Sequence, residues 1–347
     1  MPVELILGNS NPRFSGVTST MLQVLNEQQK YLNLAVMGKH HLPANVPSIT
    51  FLEAAKLTQA PLPDGRWRVF HARRNDEMIQ ALLLKHIFNA KIKIVFTSTA
   101  QRHHSALTCW LMGKMDAVIS TCAAAASYLE NPPAVIIPHG IDKNLYHPPS
   151  DRTAAWDALG LPGKYGIGIF GRVREQKGID ILIEASLPLL KIYPEFSLVI
   201  CGEITPGNEK FVAQQQHKIS AAGLSQRVIF LGKQPFSRVP ELFRAMSIVA
   251  ALSRNEGFGL TVLEAMSSGA AVLASQAGAW PEIIEEGVEG YTAPCSDVAA
   301  TRAQLEKLMR RPEYLPIMGE RGRKKVEQFY TIEREAKALC DFFKTLM

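Results

Sequence analysis

Glu256-Gly257-Phe258-Gly259-Leu260-Thr261-Val262-Leu263-Glu264 is the stretch on which the reading of this chain turns. The apolar run at 248–252 predicts a buried strand, and Leu263-Glu264-Ala265-Met266 has helical composition with no breaker until Gly269. The stretch is therefore the end of a strand, a glycine-rich turn and a helix start. Glycines at 257 and 259 let the backbone approach a ligand without Cβ atoms in the way, and the free N–H groups of a helix start favour an anion, of which phosphate is the obvious case. The two carboxylates bracket the turn, so each can accept hydrogen bonds from hydroxyls on either side of that phosphate. Sugar and ribose hydroxyls fit this description. Taken alone, two Glu at this spacing are equally well explained as a helix N-terminus with a favourable acidic residue on its surface.

A chain of 347 residues exceeds one ordinary core, so two domains of about 150–200 residues are expected. A hydrophobic content of 47% with 20% charged residues is that of a soluble globular protein. The five cysteines, at 109, 122, 201, 295 and 340, have no paired spacing, and no signal peptide precedes the first strand. A reducing, cytosolic setting with neither disulfides nor a zinc site is expected. No apolar run is long enough to span a bilayer. Residues 1–150 hold 14 Lys and Arg against 9 Asp and Glu, so +5 of the net +6 lies in the first part of the chain. A basic half points to an anionic partner such as a membrane surface, an acidic substrate or nucleic acid, and a solvated basic face is the plainer account. Nucleic acid is not expected, because no interleaving of aromatic and basic residues accompanies the charge.

The first strand is predicted at 3–8, followed by the loop Asn9-Ser10-Asn11-Pro12-Arg13-Phe14-Ser15-Gly16 and a helix over about 17–28. The dinucleotide pattern G-x-G-x-x-G is absent there, which counts against an NAD or FAD enzyme. Strands near 32–37, 49–52, 67–71, 92–97, 116–120 and 134–138 then alternate with helices near 76–89, 103–113 and 122–130, the pattern of a doubly wound domain. Ligands gather at the carboxyl ends of strands in such sheets. Two of those ends are basic, His71-Ala72-Arg73-Arg74 and Gln101-Arg102-His103-His104. Each is either a ligand contact or a solvated surface loop. The Pro-rich and polar stretch 143–164 reads as a linker with a short helix at 152–159.

The second domain restarts with a strand at 165–170 and runs through Gly171-Arg172-Val173-Arg174-Glu175-Gln176-Lys177-Gly178 into a helix at 179–192. Arg172 and Lys177 stand at a strand end before a helix start, which suits them to neutralise a diphosphate; an exposed basic turn is the alternative. A strand at 196–200 ends in Cys201-Gly202-Glu203, and a helix at 207–222 and a strand at 228–231 lead to Gly232-Lys233. Beyond the central stretch come a strand at 271–274, a short helix opened by Pro281, a small strand led by Gly290 and helices at 297–310, 316–329 and 331–346.

These motifs resemble those of the retaining glycosyltransferases of family 4. The resemblance is carried by Glu256-x7-Glu264, by Gly171-Arg172 with Lys177-Gly178, by Gly16 before the first helix and by Ile136-Ile137-Pro138-His139-Gly140-Ile141-Asp142 at the close of the first domain. It implies an α/β chain of GT-B architecture, with two facing Rossmann-like doubly wound domains. Residues 1–142 would bind the acceptor, 143–164 form the linker, 165–330 bind the nucleotide-sugar donor, and 331–347 form a helix returning to the first domain. Arg172, Lys177 and Glu256 would be catalytic. On the donor, the Gly16 N–H and the helix start at Leu260-Thr261 would meet the diphosphate beside Gly171, and Gly202 and Lys233 lie where the base is received. Glu256 would hold sugar hydroxyls through the turn Gly257-Phe258-Gly259, and Glu264 the ribose. No Asp-x-Asp occurs, so neither a bridging metal nor any cofactor is expected, and protein groups must meet the charge of the leaving phosphate. No carboxylate pair stands out as nucleophile and acid; front-face attack, with the leaving phosphate taking the acceptor proton, needs neither.

Within the family the chain is most similar to the lipopolysaccharide core mannosyltransferases of Gram-negative bacteria. That implies GDP-mannose as donor, an acidic glycolipid acceptor such as the lipid A inner core, and a peripheral place on the cytoplasmic face of the inner membrane. An acidic acceptor would account for His71, Arg73, Arg74, Arg102 and His103, and an anionic membrane surface for the basic first domain. Many members carry a histidine soon after the strand that here ends in Phe96-Thr97-Ser98; this chain has none at those positions, and His71, His103 and His104 are the candidates to replace it. The alternatives are a UDP-hexose donor on another glycan or lipid acceptor, and a catalytically silent nucleotide-binding scaffold. Intact Arg172, Lys177, Glu256 and Glu264 argue against silence.

Overall fold

The computed structural model describes residues 2–12 and 15–347; Met1, and Arg13 and Phe14 of the first loop, lie outside the described residues. The chain divides into two units, Met1–Gly140 with Thr331–Met347, and Ile141–Tyr330. In unit 1 the strands β1 (Leu5–Gly8), β2 (Leu34–Met37), β3 (Ser48–Ile49), β4 (Arg68–Ala72), β5 (Ile92–Ser98), β6 (Ala117–Ser120) and β7 (Val135–Ile136) form one parallel sheet in the order β3-β2-β1-β4-β5-β6-β7. The helices between them are α1 (Gly16–Gln28), α2 (Phe51–Thr58), α3 (Asn75–His86), α4 (Ala106–Met112) and α5 (Ala123–Ala126). Successive side chains of β1 enter opposite faces: Leu5 and Leu7 join one core cluster with Met21 and Val69, while Ile6 joins another with Phe70 and Met78. Both faces are covered, which is why these strands read as unbroken apolar runs.

The strand predicted at 49–52 ends at Ile49 because a helix begins there. Thr50 accepts from the Glu53 N–H at 3.3 Å and the Glu53 carboxylate accepts from the Thr50 N–H at 2.7 Å, a reciprocal cap that starts α2. The helix predicted at 122–130 closes after one turn.

Unit 2 has the parallel strands β8 (Tyr165–Phe170), β9 (Phe196–Cys201), β10 (Val228–Gly232), β11 (Met246–Ala251), β12 (Ala271–Ser275) and β13 (Gly290–Ala293), ordered β10-β9-β8-β11-β12-β13. Its helices are α6 (Arg152–Asp157), α7 (Ile179–Ile192), α8 (Glu209–Ala221), α9 (Val239–Ala245), α10 (Thr261–Ser267), α11 (Trp280–Ile283), α12 (Val298–Arg310) and α13 (Leu315–Phe329). Residues 143–164 do not form the separate linker their composition suggests. Tyr146 and Trp156 are buried, and the Arg152 guanidinium donates to the carbonyls of Arg244, Met246, Ser268 and Gly269, so the stretch is packed into unit 2. Apolar anchors spaced between prolines carry it, a pattern that composition alone hides.

The last helix, α14 (Ile332–Leu346), completes unit 1. It packs along α1 and places Leu339, Cys340 and Phe343 in the core of that unit, with Phe343 edge-on to His71 at 5.0 Å. At its first turns Glu335 accepts from the Gly140 N–H at 2.7 Å and pairs with His139 at 2.7 Å. Two doubly wound Rossmann-like units, with the C-terminal helix returned to the first, make the GT-B architecture. In each sheet the connections run outward from a central strand and then restart on its other side, between β1 and β4 in unit 1 and between β8 and β11 in unit 2. Those two strand ends are where the topology opens a crevice for a ligand.

Because Phe343 is fully buried among residues 1–140, Phe343→Ala should destabilise unit 1 by about 3–5 kcal/mol. Urea unfolding followed by circular dichroism measures it, and a loss below about 1 kcal/mol would mean that α14 is not part of that core.

Candidate active site

The loops that leave β8 and β11 are side by side because those strands are neighbours with matched register, Ile167 opposite Ile248 and Ile169 opposite Ala250. Charged groups stitch the two loops together. The Arg254 guanidinium donates to both Asp180 oxygens, at 2.7 and 3.1 Å, and to the Glu175 carbonyl, while its N–H reaches the Gln176 carbonyl at 2.9 Å. Gln176 in turn donates to the Asn255 carbonyl. At the centre of this seam Lys177 Nζ lies 2.5 Å from Glu256 Oε2, which also accepts from the Ser253 hydroxyl at 3.1 Å; the Gly257 N–H reaches Glu256 Oε1 at 3.3 Å. Both partners of the pair are 22% exposed, enough for a ligand to reach them and little enough to limit competition from water.

Arg172 is exposed at the rim of the same loop and Arg174 is half-buried behind it. Burial first and the neighbouring Arg172 second lower the pKa of Arg174, Glu256 opposing them; its Nε is buried with no hydrogen-bond partner among the described residues. The turn itself is fixed by Gly259, whose φ of +82° and 2.5 Å separation between a built Cβ and Trp280 Nε1 leave no room for another residue. Trp280 Nε1 donates to the Gly259 carbonyl at 2.8 Å. Phe258 is buried at 4%, so only its backbone is available to a ligand, and Leu260 precedes Thr261, the first residue of α10. The first N–H groups of that helix have no partner within it. One turn on, Glu264 receives the Tyr146 hydroxyl. Burial pushes its pKa up to about 7, against the pull of Tyr146 and Lys177.

At the next strand ends, a Cβ on Gly202 would stand 1.8 Å from the Gly171 carbonyl, so this glycine permits the close approach of the segments after β8 and β9. Lys233, after β10, is 73% exposed and paired with Glu203 at 3.4 Å. Gly16 was expected ahead of the first helix; it is the first residue of α1, exposed, with open space around its Cβ position.

The basic strand ends of unit 1 separate into different environments. His71 is 1% exposed within β4, its Nε2 2.7 Å from Thr97 Oγ1 and its pKa held well below the ordinary value by burial, then by Arg73 and His139. As an acceptor contact it is corrected to a neutral core histidine: β4 continues through Ala72, so position 71 points into the domain rather than out of its end. Arg74 is likewise occupied, donating to Glu77 at 3.0 Å, Ser15 at 3.1 Å and Thr18 at 2.8 Å, and so ties α3 to the start of α1. Arg73 has a buried Nη1 without a partner among the described residues, and burial brings its pKa to about 10. Arg102 and His103 are exposed, His103 resting edge-on to Tyr128; His104 turns back to Ser98 at 3.1 Å.

Sequence reading missed Ser253, Arg254 and Tyr146. Ser253-Arg254 lay in plain view at a strand end, and Arg254 has its opposite charge in Asp180 at the start of the facing helix; Tyr146 gave no signal, being brought to Glu264 by tertiary packing. Among the described residues no three His, Cys, Asp or Glu side chains converge as a metal site, and no helix is long and apolar enough to cross a membrane.

A sequence model described as glycosyl transferases group 1 matches residues 151–325. The chain is 40% identical over 346 residues to the lipopolysaccharide core biosynthesis mannosyltransferase LpcC of Rhizobium leguminosarum bv. viciae, covering 99% of this chain and 97% of that protein. It is 38% identical over 350 residues to the mannosyltransferase LpsB of Rhizobium meliloti (strain 1021), covering 99% and 98%. Among solved structures it is similar to the C-terminal domain of a group 1 family protein (LpcC) from Francisella tularensis, with 38% identity and a TM-score of 0.54 over 55% of this chain and 99% of that one. It also matches Anabaena Alr3699/HepE in complex with UDP and glucose, with a TM-score of 0.81 over 99% of this chain and 100% of that one; at 18% identity this likeness concerns the fold alone.

Since burial holds a proton on Glu264 up to about pH 7, while the unfolded chain releases it near 4.5, the folded state binds more protons between these values and loses stability as pH rises through them. Glu264→Gln removes that slope. Relative to the variant, the parent should lose about 1–2 kcal/mol between pH 5 and pH 7.5, less than full linkage because the side chain is partly open to solvent. Urea midpoints of both proteins measure it, and parallel pH profiles would show Glu264 ionised throughout.

Proposed function

The chain belongs to the family of group 1 glycosyl transferases, and we propose that it moves mannose from GDP-mannose, with retention at the anomeric carbon, onto an acidic inner-core sugar of lipopolysaccharide. The observation that carries the transferase reading is the meeting of Lys177 and Glu256 where the unit 2 sheet reverses its strand order. The choice of donor sugar and acceptor rests on the full-length similarity to the two rhizobial mannosyltransferases.

In this reading Lys177 and Arg172 take the diphosphate, assisted by the N–H groups at Gly171 and the Leu260-Thr261 helix start. Glu256 and the Gly257-Phe258-Gly259 backbone hold sugar hydroxyls, and Glu264 in its ionised form accepts from the ribose. Gly202 and Lys233 border the base. The ligand-free pair is suited to this exchange: when the diphosphate takes the Lys177 ammonium, sugar hydroxyls satisfy Glu256, and neither charge is left buried and unpaired. Departure of the diphosphate leaves an oxocarbenium-like sugar, the acceptor hydroxyl attacks from the same face, and its proton passes to the departing phosphate oxygen. The cations act through charge alone, stabilising the leaving group as it develops. The basic charge of residues 1–150 favours a peripheral position on the anionic cytoplasmic face of the inner membrane.

Thermal shift with GDP-mannose, GDP and UDP-glucose, together with transfer to inner-core lipopolysaccharide lacking the added sugar, tests the proposal. GDP-mannose at one hundred times its dissociation constant should stabilise the protein by about 2.7 kcal/mol; a larger effect of UDP-glucose would replace the donor. Lys177→Ala and Arg172→Ala should each lower turnover on the order of 100-fold at saturating donor without unfolding the chain. Full activity in either would remove that cation from the mechanism. Transfer should continue in EDTA, and loss on chelation with rescue by magnesium would assign the diphosphate to a metal instead.

A further inference from the structure

At the carboxyl ends of β1, β2 and β3, beside the point where the unit 1 sheet reverses its strand order, there is a cavity of about 330 Å³. It lies at the lower end of the roughly 300–1,000 Å³ usual for ligand pockets, room for one sugar rather than a nucleotide. We propose that it holds a single sugar-acid unit of the acceptor, its hydroxyls on Asn9 and Gln80 and its carboxylate on Lys39; the proposal rests on the transferase reading above and names the acceptor group that unit 1 recognises.

The chemistry of the wall selects this ligand. Asn9 is 0% exposed, and its Nδ2 is committed to the His40 carbonyl at 2.7 Å, which leaves Oδ1 buried with no donor among the described residues. Gln80 Oε1 is also buried without a partner among the described residues. A buried acceptor left unsatisfied is destabilising, so two in one wall call for a guest that donates hydrogen bonds. The oxygens of an ionised diphosphate are mainly acceptors, and the cavity is too small for a whole nucleotide; a sugar presents several hydroxyl donors in a volume that fits. Lys39 is exposed at the mouth and has no carboxylate within ion-pair distance among the described residues. The nearby carboxylates are already engaged, Asp76 by the Ser10 hydroxyl at 2.5 Å and Glu53 by the Thr50 hydroxyl at 2.8 Å. A ligand with hydroxyl donors and one carboxylate satisfies all three groups, and the apolar Met37, Ile49 and Phe51 side chains give its C–H face a surface. The wall is also rigidly built: a Cβ on Gly38 would lie 2.2 Å from the Asn9 carbonyl, so the ends of β1 and β2 meet at a position only glycine fills.

Two measurements test it on the full chain. The first follows the methyl NMR signals of Met37 and Ile49 as glucuronate or glucose is added. Glucuronate should shift both at lower concentration than glucose, and Lys39→Gln should abolish the difference. The second compares inner-core lipopolysaccharide with its carboxyl-reduced form. Lys39→Gln should raise KM for the native acceptor about tenfold or more, the scale of one hydrogen bond to a charged group, and change KM for the reduced acceptor and for the donor less than about twofold. Gln80→Leu, at a half-buried position, should weaken both acceptors alike. If the parent fails to use the core acceptor while the methyls still report glucuronate, the pocket stands and the acceptor identity above falls. If transfer proceeds and neither the methyls nor the acceptor KM respond to Lys39→Gln, the pocket is not the acceptor site.

Discussion

The Lys177–Glu256 pair joins two loops that are 79 residues apart in the chain and depends on β8 and β11 being neighbours. An ion pair held partly out of water gives little net stability, since the attraction between the charges roughly offsets the cost of desolvating them. What it provides is exchangeability. The surrounding seam, Arg254 with Asp180 and Gln176 with Asn255, holds the loops in place by contacts that do not use the pair. The central charges can therefore change partners without the loops separating, which is the property a site for a charged, hydroxylated ligand requires.

The two units share the reversal of strand order but use their polar groups differently. In unit 1 most of the polar chemistry at the β4 end is structural. Glu77 sits under Gly8, fully buried, and its carboxylate holds the Arg73 N–H at 2.7 Å and the Arg74 guanidinium at 3.0 Å. Burial raises the Glu77 pKa, and the two arginines oppose the rise. Removing the Arg74 guanidinium would take the ion-pair partner from a carboxylate buried in the core, a reason for that residue independent of any acceptor. Asn9 Oδ1, Gln80 Oε1 and Arg73 Nη1, which are among the buried atoms with no hydrogen-bond partner among the described residues, are better pointers to a ligand than these paired groups.

How far the sequence reached is clearest at particular elements. β8 and α7 stand where their apolar runs and flanking glycines put them, at Tyr165–Phe170 and Ile179–Ile192. Strands of this kind are legible because burial on both faces demands a continuous apolar run, and the turn after β11 because Gly259 at positive φ has no substitute. Helix α2 was misread because four apolar or β-prone residues cannot tell a strand from a helix start, and the cap at Thr50 and Glu53 decided it.

The sequence by itself determined the two doubly wound units, the glycine-shaped turn and the placing of cations and carboxylates at strand ends, since each is a local consequence of periodicity or backbone freedom. Only the tertiary structure decided which of those charges meet. It brought Lys177 onto Glu256, Tyr146 onto Glu264 and Glu335 onto His139, and it drew His71 and Arg74 into the framework instead of leaving them for a ligand. The physical reason is that the environment of a charge depends on neighbours from distant parts of the chain. Strand order in the sheet sets those neighbours, and residue spacing along the chain does not encode it.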